Sequence, residues 1–240
     1  MPSPERSWGR WLTAGFTAAI GIGLLAYPYL LESLLARFGV RASCGVLGVV
    51  SVVSMAFGGR ARSALGVAAW PGLAIAAMLG VGAISGQRGA LLLVPAVIYL
   101  GLADVFRRSL AREDSILERC LRLIVPEAPD FVRPYCRGVT WFWVAFFAAS
   151  AVVIAGLALT GASHGWQAFT GWGIYALMLG VSGVEFFVRK TWFRYYFHGG
   201  PFDRLWSSLF PAENTEQGRR SADYIRRFRE ETAQRARARG

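Results

Sequence analysis

The sequence predicts an all-α membrane protein, a bundle of about six transmembrane helices with both termini in the cytoplasm. Hydrophobic residues make up 54% of the 240-residue chain and charged residues only 17%, whereas a soluble domain carries about 25% charge. The charges are bunched, which leaves uncharged stretches long enough for a helix to cross a bilayer. Basic residues lie mostly on one predicted side of these stretches, as in membrane proteins of defined orientation.

Six stretches supply the predicted spans. The hydrocarbon core is about 30 Å thick and needs roughly 20 apolar residues in a helix. The stretches that meet this need are 11–31, 42–58, 64–84, 89–106, 139–160 and 168–188. The first follows Arg6 and Arg10, as in a signal peptide, but it is too long for that role and lacks a cleavage site, so we predict a retained helix.

The orientation follows from the basic residues between the spans. With the N-terminus inside, 23 of the 26 basic residues lie in four inside segments: 1–10, 59–63, 107–138 and 189–240. The outside connections hold only three, namely Arg37, Arg41 and Arg88. The formal net charge of +11 therefore reflects membrane orientation, and we expect no nucleic-acid partner. A multi-pass protein of the bacterial inner membrane is predicted.

Two inside segments have structure of their own. Residues Arg107 to Val125 are predicted to form an amphipathic helix on the membrane surface, with Glu118 and Arg122 paired at i,i+4. Its apolar face would hold Leu110, Leu117, Leu121 and Ile124. The basic tail 189–240 opens with aromatic and cationic residues that predict an interfacial anchor, followed by an interfacial helix.

Small residues and prolines recur inside the spans. Glycine and alanine are spaced four apart at Gly15, Ala19 and Gly23, at Gly72, Ala76 and Gly80, and at Ala176 and Gly180. We interpret these stripes as close packing within the chain, in preference to dimerisation. Prolines within spans are expected to kink their helices at Pro28, Pro71 and Pro95.

Two acidic residues inside spans are the candidates for a functional site, because such residues are costly in a membrane. Asp104 lies three and four residues before Arg107 and Arg108, and Glu185 lies four before Arg189. One interpretation is a pair of ion pairs at the head-group level. Another places both carboxylates at one cytoplasmic cavity whose arginines bind an anionic head group. Proton-coupled transport is a third interpretation, weakened because neither acid is at mid-membrane.

Enzyme signatures are largely missing from the sequence. It contains no HExxH, GxSxG or Walker A motif, and no His four residues before an Asp. Cys44, Cys120 and Cys136 form no CxxC pair, and the two histidines lie far apart. We therefore predict no catalytic residues, no metal ligands and no cofactor, and lean against an enzyme.

One run resembles a known family: Pro126-Glu-Ala-Pro-Asp-Phe-Val-Arg-Pro-Tyr-Cys-Arg-Gly-Val-Thr-Trp-Phe-Trp143, together with Glu185-Phe-Phe-Val-Arg-Lys190. It is similar to an uncharacterised family of bacterial polytopic inner-membrane proteins found in aryl-polyene and xanthomonadin-type pigment gene clusters. Their neighbours are ketosynthases, acyl carrier proteins and acyltransferases. The resemblance covers most of residues 10–210 and carries over no catalytic residue.

The resemblance implies an accessory protein that supports biosynthesis or handling of a lipid-like acyl product. Its expected partners are membrane lipids and an acyl carrier protein or another acidic cytoplasmic protein. The binding candidates are Asp104, Glu185, Arg107, Arg108, Arg133, Tyr135, Arg137 and Arg189. A small secondary transporter or flippase, and a membrane-bound acyl-processing enzyme, are the alternatives. The sequence predicts no oligomeric state.

Overall fold

The fold was obtained as a computed structural model, which describes residues 4–57, 69–124, 130–192 and 201–239. The described residues are helical apart from short turns and contain no strand, so the all-α prediction is confirmed. The α-helices in this part of the chain are α1 Pro4–Phe57, α2 Trp70–Ser85, α3 Gly89–Leu110, α4 Ile116–Ile124, α5 Arg133–Leu159, α6 Ser163–Ala168, α7 Ile174–Trp192, α8 Pro201–Leu209 and α9 Glu216–Arg239.

Four helical stretches of the described chain are long and apolar enough to cross a membrane: Tyr29–Met55, Gly89–Leu110, Asp130–Leu159 and Ser163–Trp192. The 22 residues of α3 rise about 33 Å, more than the thickness of a hydrocarbon core. Helix α2 is apolar but shorter. A membrane protein with apolar spanning helices is thereby supported, while the number of six spans and their orientation stay predictions.

Helix α1 contains the first predicted span, 11–31, and residues 42–57 of the second. The connection predicted at 32–41 is helical except at Gly39, where φ is 74° and ψ is 171°. Only glycine adopts this backbone conformation without strain, because it has no Cβ. A kink at one residue therefore replaces the predicted loop. The side chains of 4–28, including the first small-residue stripe and Pro28, lie outside the described part.

Helices α2 and α3 form an antiparallel hairpin. Gly86, with φ of 75°, ends α2, and its amide donates to the Gly82 carbonyl at 2.9 Å. Pro71 is the second residue of α2, a position that tolerates proline because its N–H would have no helical partner there. The predicted kink at Pro71 was therefore wrong, whereas Pro95 does lie inside α3.

Glycines let α1, α2 and α3 approach closely. A Cβ on Gly72 would lie 2.9 Å from Met55 Sδ in α1, and one on Gly101 would lie 3.0 Å from the Pro71 ring. The predicted role of Gly72 in packing within the chain is confirmed. Gly80, from the same stripe, has nothing within 4 Å of its Cβ position.

The prediction of one continuous amphipathic helix from Arg107 to Val125 was wrong. Helix α3 ends at Leu110 and α4 begins at Ile116, while Val125 lies outside the described residues. The break has a local cause, since Ser115 Oγ accepts the Glu118 amide at 3.3 Å. A serine three residues before a glutamate is the capping-box signature of a helix start.

Helix α5 begins at Arg133, six residues before the predicted span at 139–160. The contact between α5 and α3 is more extensive than that between any other two helices of the described chain. Aromatic rings join the two helices, because Phe147 lies 5.2 Å from Phe106 and 6.1 Å from Tyr99 between ring centres. This contact forms the core of the first of two compact units, residues 1–124 and 133–175.

The second unit comprises residues 125–132 and 176–240. Phe187 of α7 stacks on Trp206 of α8, with ring centres 5.2 Å apart. Tyr224 of α9 meets Phe131 edge to face at 6.4 Å. The tail predicted as basic and partly helical is helical at 201–209 and 216–239, and the predicted anchor beyond Trp192 lies outside the described residues.

Candidate functional site

Asp104 is the centre of a compact polar cluster near the end of α3. Its side chain is 12% exposed. Oδ1 accepts from Arg107 Nη2 at 2.8 Å, and Oδ2 accepts from Arg108 Nε at 2.7 Å. Oδ2 also accepts from the indole Nε1 of Trp70 at 3.0 Å. The predicted ion pairs with Arg107 and Arg108 are confirmed, and Trp70 is a partner that the sequence analysis missed.

The hairpin of α2 and α3 brings Trp70 to Asp104. The two helices run antiparallel, so the first turn of α2 lies beside the last turns of α3. The close approach of Pro71 to Gly101 fixes that register one helical turn away. A tryptophan at the end of an apolar helix is typical of the membrane interface, but the predicted span 64–84 placed Trp70 inside the span, so this signal was not recognised.

Arg107 and Arg108 form an exposed surface, which we call the arginine pair. Their side chains are 60% and 51% exposed. Within the described chain each donates one hydrogen bond, to Asp104, and a guanidinium carries five N–H donors. Asp104 therefore orients two cations and leaves most of their donors available. Planar guanidinium groups bind carboxylate and phosphate groups through paired hydrogen bonds.

Arg133 and Arg137, predicted to face an acidic partner, bond within the first unit, and the partner stays a prediction. Arg133 donates to Asp114 Oδ1 at 2.8 Å and to Glu118 Oε1 at 3.1 Å. Arg137 donates to the Leu110 carbonyl at 2.8 Å, which satisfies an acceptor at the end of α3. Both arginines therefore hold α5 against the connection between α3 and α4.

Glu118 is the buried centre of this second cluster. Its side chain is 5% exposed, and Oε1 accepts from Arg122 Nη2 at 3.0 Å in addition to Arg133. Oε2 has no hydrogen-bond partner in the part of the chain that the structure describes. The predicted pairing of Glu118 with Arg122 is confirmed. Arg133 was missed because it lies 15 residues away in sequence.

The remaining candidates are Tyr135, Glu185 and Arg189. Tyr135 is half-buried on α5. Glu185 accepts from Arg189 Nε at 3.1 Å, which confirms the predicted ion pair. The guanidinium of Arg189 also lies 5.8 Å from the ring centre of Phe186, within the range of a cation–π contact. Asp104 belongs to the first compact unit and Glu185 to the second, and a cavity shared by both carboxylates stays a prediction.

The described residues contain no group of three or more His, Cys, Asp or Glu side chains that could hold a metal ion. Cys44 and Cys136 are buried and Cys120 is exposed. In comparisons with known proteins, no family model, no curated protein and no solved structure matches this chain. The resemblance to the pigment-cluster family therefore stays a prediction.

Proposed function

We propose that the protein is a non-enzymatic integral component of the bacterial inner membrane that handles a lipid-like acyl product of the aryl-polyene type. The arginine pair held by Asp104 is the observation that supports this proposal. Two exposed guanidinium groups at the end of an apolar helix suit a ligand with an anionic end and an apolar chain.

The surface of α3 before the arginine pair suits the apolar chain of such a ligand. Leu100 is 42% exposed and lies seven residues before Arg107, on the same helix face, whereas Ile98 and Leu102, exposed by 42% and 37%, lie on the opposite face. In a spanning helix these side chains face lipid or an acyl chain, since water is absent there. An amphiphile could therefore lie along α3 with its carboxylate or phosphate at Arg107 and Arg108.

A flippase is the second candidate, because α3 carries charged groups near both ends. Arg88 precedes its first residue and lies 3.5 Å from Glu32 of α1. Arg88 and Asp104 are 16 positions apart in sequence, which corresponds to a rise of about 24 Å along a helix. Coupling of transport to protons through Asp104 has less support, because three donors already occupy both of its oxygens.

The test is made in the native host with four strains: wild type, a deletion, Arg107→Gln with Arg108→Gln, and Arg119→Gln. Arg119 is an exposed arginine of α4 outside the Asp104 cluster, so it serves as the matched control. Pigment and lipid are extracted from separated inner and outer membranes, and the protein is quantified in each strain.

A missing or truncated product in the deletion and in the double variant, with a normal product in the control, supports handling during biosynthesis. A complete product held in the inner membrane supports the flippase. An unchanged profile in the deletion refutes both proposals. A normal product in the double variant, together with an altered product in the deletion, would show that the arginine pair is not the site. Turnover of an acyl substrate by the purified protein would favour the enzyme alternative.

A further inference from the structure

A charged groove lies between α1 and the start of α3. Its volume is about 590 Å³, within the range of ligand sites of roughly 300–1,000 Å³. Glu32 and Arg88 provide its charged groups, and Ser33 adds a hydroxyl. The rest of the lining is aliphatic, from Leu35, Ala36 and Val40.

The ion pair in this groove is loose, unlike the pairs around Asp104. Arg88 Nη2 lies 3.5 Å from Glu32 Oε1, beyond the roughly 2.7–3.2 Å of a protein hydrogen bond. The two side chains are 50% and 48% exposed. Neither makes a side-chain hydrogen bond to any described residue. An exposed pair of this kind contributes little to stability, and both groups keep their capacity to bind a ligand.

The start of α3 adds a second feature that attracts an anion. No side chain caps this helix end, and its first residue, Gly89, has open space around its Cβ position. The N-terminus of a helix carries a partial positive charge, which favours phosphate; the amides of Ala90 and Leu91 themselves donate to the carbonyls of Gln87 and Arg88. Arg88 and Gly89 are consecutive, so two features favouring an anion coincide, while Glu32 favours a cation.

We propose that this groove binds a phospholipid head group that carries both a phosphate and a primary amine, as in phosphatidylethanolamine. The phosphate lies at Arg88 and the start of α3, and the ammonium group donates to Glu32. The aliphatic residues Leu35, Ala36 and Val40 contact the glycerol and the first methylenes. Their presence, beside a helix long enough to cross a membrane, favours a membrane lipid over a free phosphoamine.

This inference goes beyond the proposed function, because it concerns the opposite end of α3 from the arginine pair and a different ligand. The test uses purified full-length protein in detergent, with lipid binding measured by native mass spectrometry. The probes are phosphatidylethanolamine, phosphatidylcholine and phosphatidylglycerol with identical acyl chains. We expect phosphatidylethanolamine to bind about tenfold tighter than phosphatidylglycerol, which corresponds to one charge-assisted interaction. Phosphatidylcholine should bind less tightly than phosphatidylethanolamine, since its quaternary ammonium has no N–H to donate.

The variants separate recognition from helix packing. Glu32→Gln should abolish the preference for phosphatidylethanolamine over phosphatidylglycerol, and Arg88→Gln should weaken binding of both lipids. Arg37→Gln is the matched control, because Arg37 is an exposed arginine of α1 outside the groove. The exchange of charges, Glu32→Arg with Arg88→Glu, keeps an ion pair but places an anion beside the helix N-terminus. It should melt at the temperature of the unaltered protein but lack the lipid preference.

Three results would overturn the proposal. The first is equal binding of phosphatidylethanolamine and phosphatidylglycerol by the unaltered protein, which needs no variant to fold. The second is an exchanged variant with the full lipid preference, since an ion pair between the helices would then be sufficient. The third is displacement of the lipid by phosphoethanolamine at equal concentration, which would show that the ligand is a soluble phosphoamine.

Discussion

Replacement of Glu118 by glutamine should weaken the attachment of α4 to α5. The change keeps the shape and the Oε1 acceptor but removes the charge that two guanidinium groups share. A hydrogen bond to a charged group contributes about 1.5–3 kcal/mol, and one between neutral groups about 1 kcal/mol. The partner arginines are 36% and 44% exposed, so the lower part of that range applies. Each bond then loses about 0.5 kcal/mol, so the two bonds to Glu118 together imply a loss of about 1 kcal/mol in the free energy of unfolding.

For a chain of this size, that loss lowers the melting temperature by about 2–4 °C. The full-length protein in detergent is heated with a thiol-reactive dye that reports exposure of buried cysteines. Cys44 and Cys136 are buried, whereas Cys120 is exposed and would react before unfolding. All measurements therefore use a Cys120→Ser background.

Asp114→Asn is the matched control for this prediction. Asp114 also bonds to Arg133, at 2.8 Å, but its side chain is 40% exposed, so its loss should change the melting temperature little. Equal melting temperatures for Glu118→Gln and Asp114→Asn would refute the reasoning, because the buried carboxylate of Glu118 would then stabilise the protein no more than the exposed carboxylate of Asp114.

The same thermal assay checks three further predictions. Gly101→Ala should lower the melting temperature, because the new Cβ would lie 3.0 Å from the Pro71 ring and overpacking of this kind costs about 1–3 kcal/mol. Gly80→Ala, which has open space around its Cβ position, should not lower it. Trp166 is 1% exposed, and its indole Nε1 donates to the Leu92 carbonyl at 3.0 Å. Trp166→Phe removes this bond and should lower the free energy of unfolding by about 1 kcal/mol. Arg137→Gln should destabilise the end of α3 by about 1 kcal/mol, and an unchanged melting temperature would contradict its capping role.

Interactions between residues close in sequence were predictable because helix geometry alone sets them. Residues three or four apart share a helix face, so the bonds from Asp104 to Arg107 and Arg108 and from Glu185 to Arg189 followed from their spacing. The apolar spans were likewise evident from their length. Boundaries were less accurate, as the early start of α5 at Arg133 shows.

Interactions between helices were not predictable, because spacing in sequence does not reveal which faces meet. Trp70 reaches Asp104 across 34 residues, and this contact depends on the register of α2 against α3. Arg133 and Arg137 were predicted to face a partner, and their bonds to Glu118 and Leu110 were not foreseen. Reversing the charges of these two arginines would therefore disturb the fold as well as any docking surface. Substitution of Arg107 and Arg108 is the better test of ligand binding.

The sequence by itself determined that the chain forms helices long and apolar enough to cross a membrane, because stretches of this length that carry no charge must bond their backbone internally in a bilayer. It also determined the local ion pairs, since these depend only on the helical repeat. The tertiary structure decided which charges remain exposed. Packing of α5 against α3 bonds Arg133 and Arg137 within the chain, while Asp104 and Trp70 hold Arg107 and Arg108 at the surface. Those outcomes depend on contacts between distant segments, which only the packed helices define.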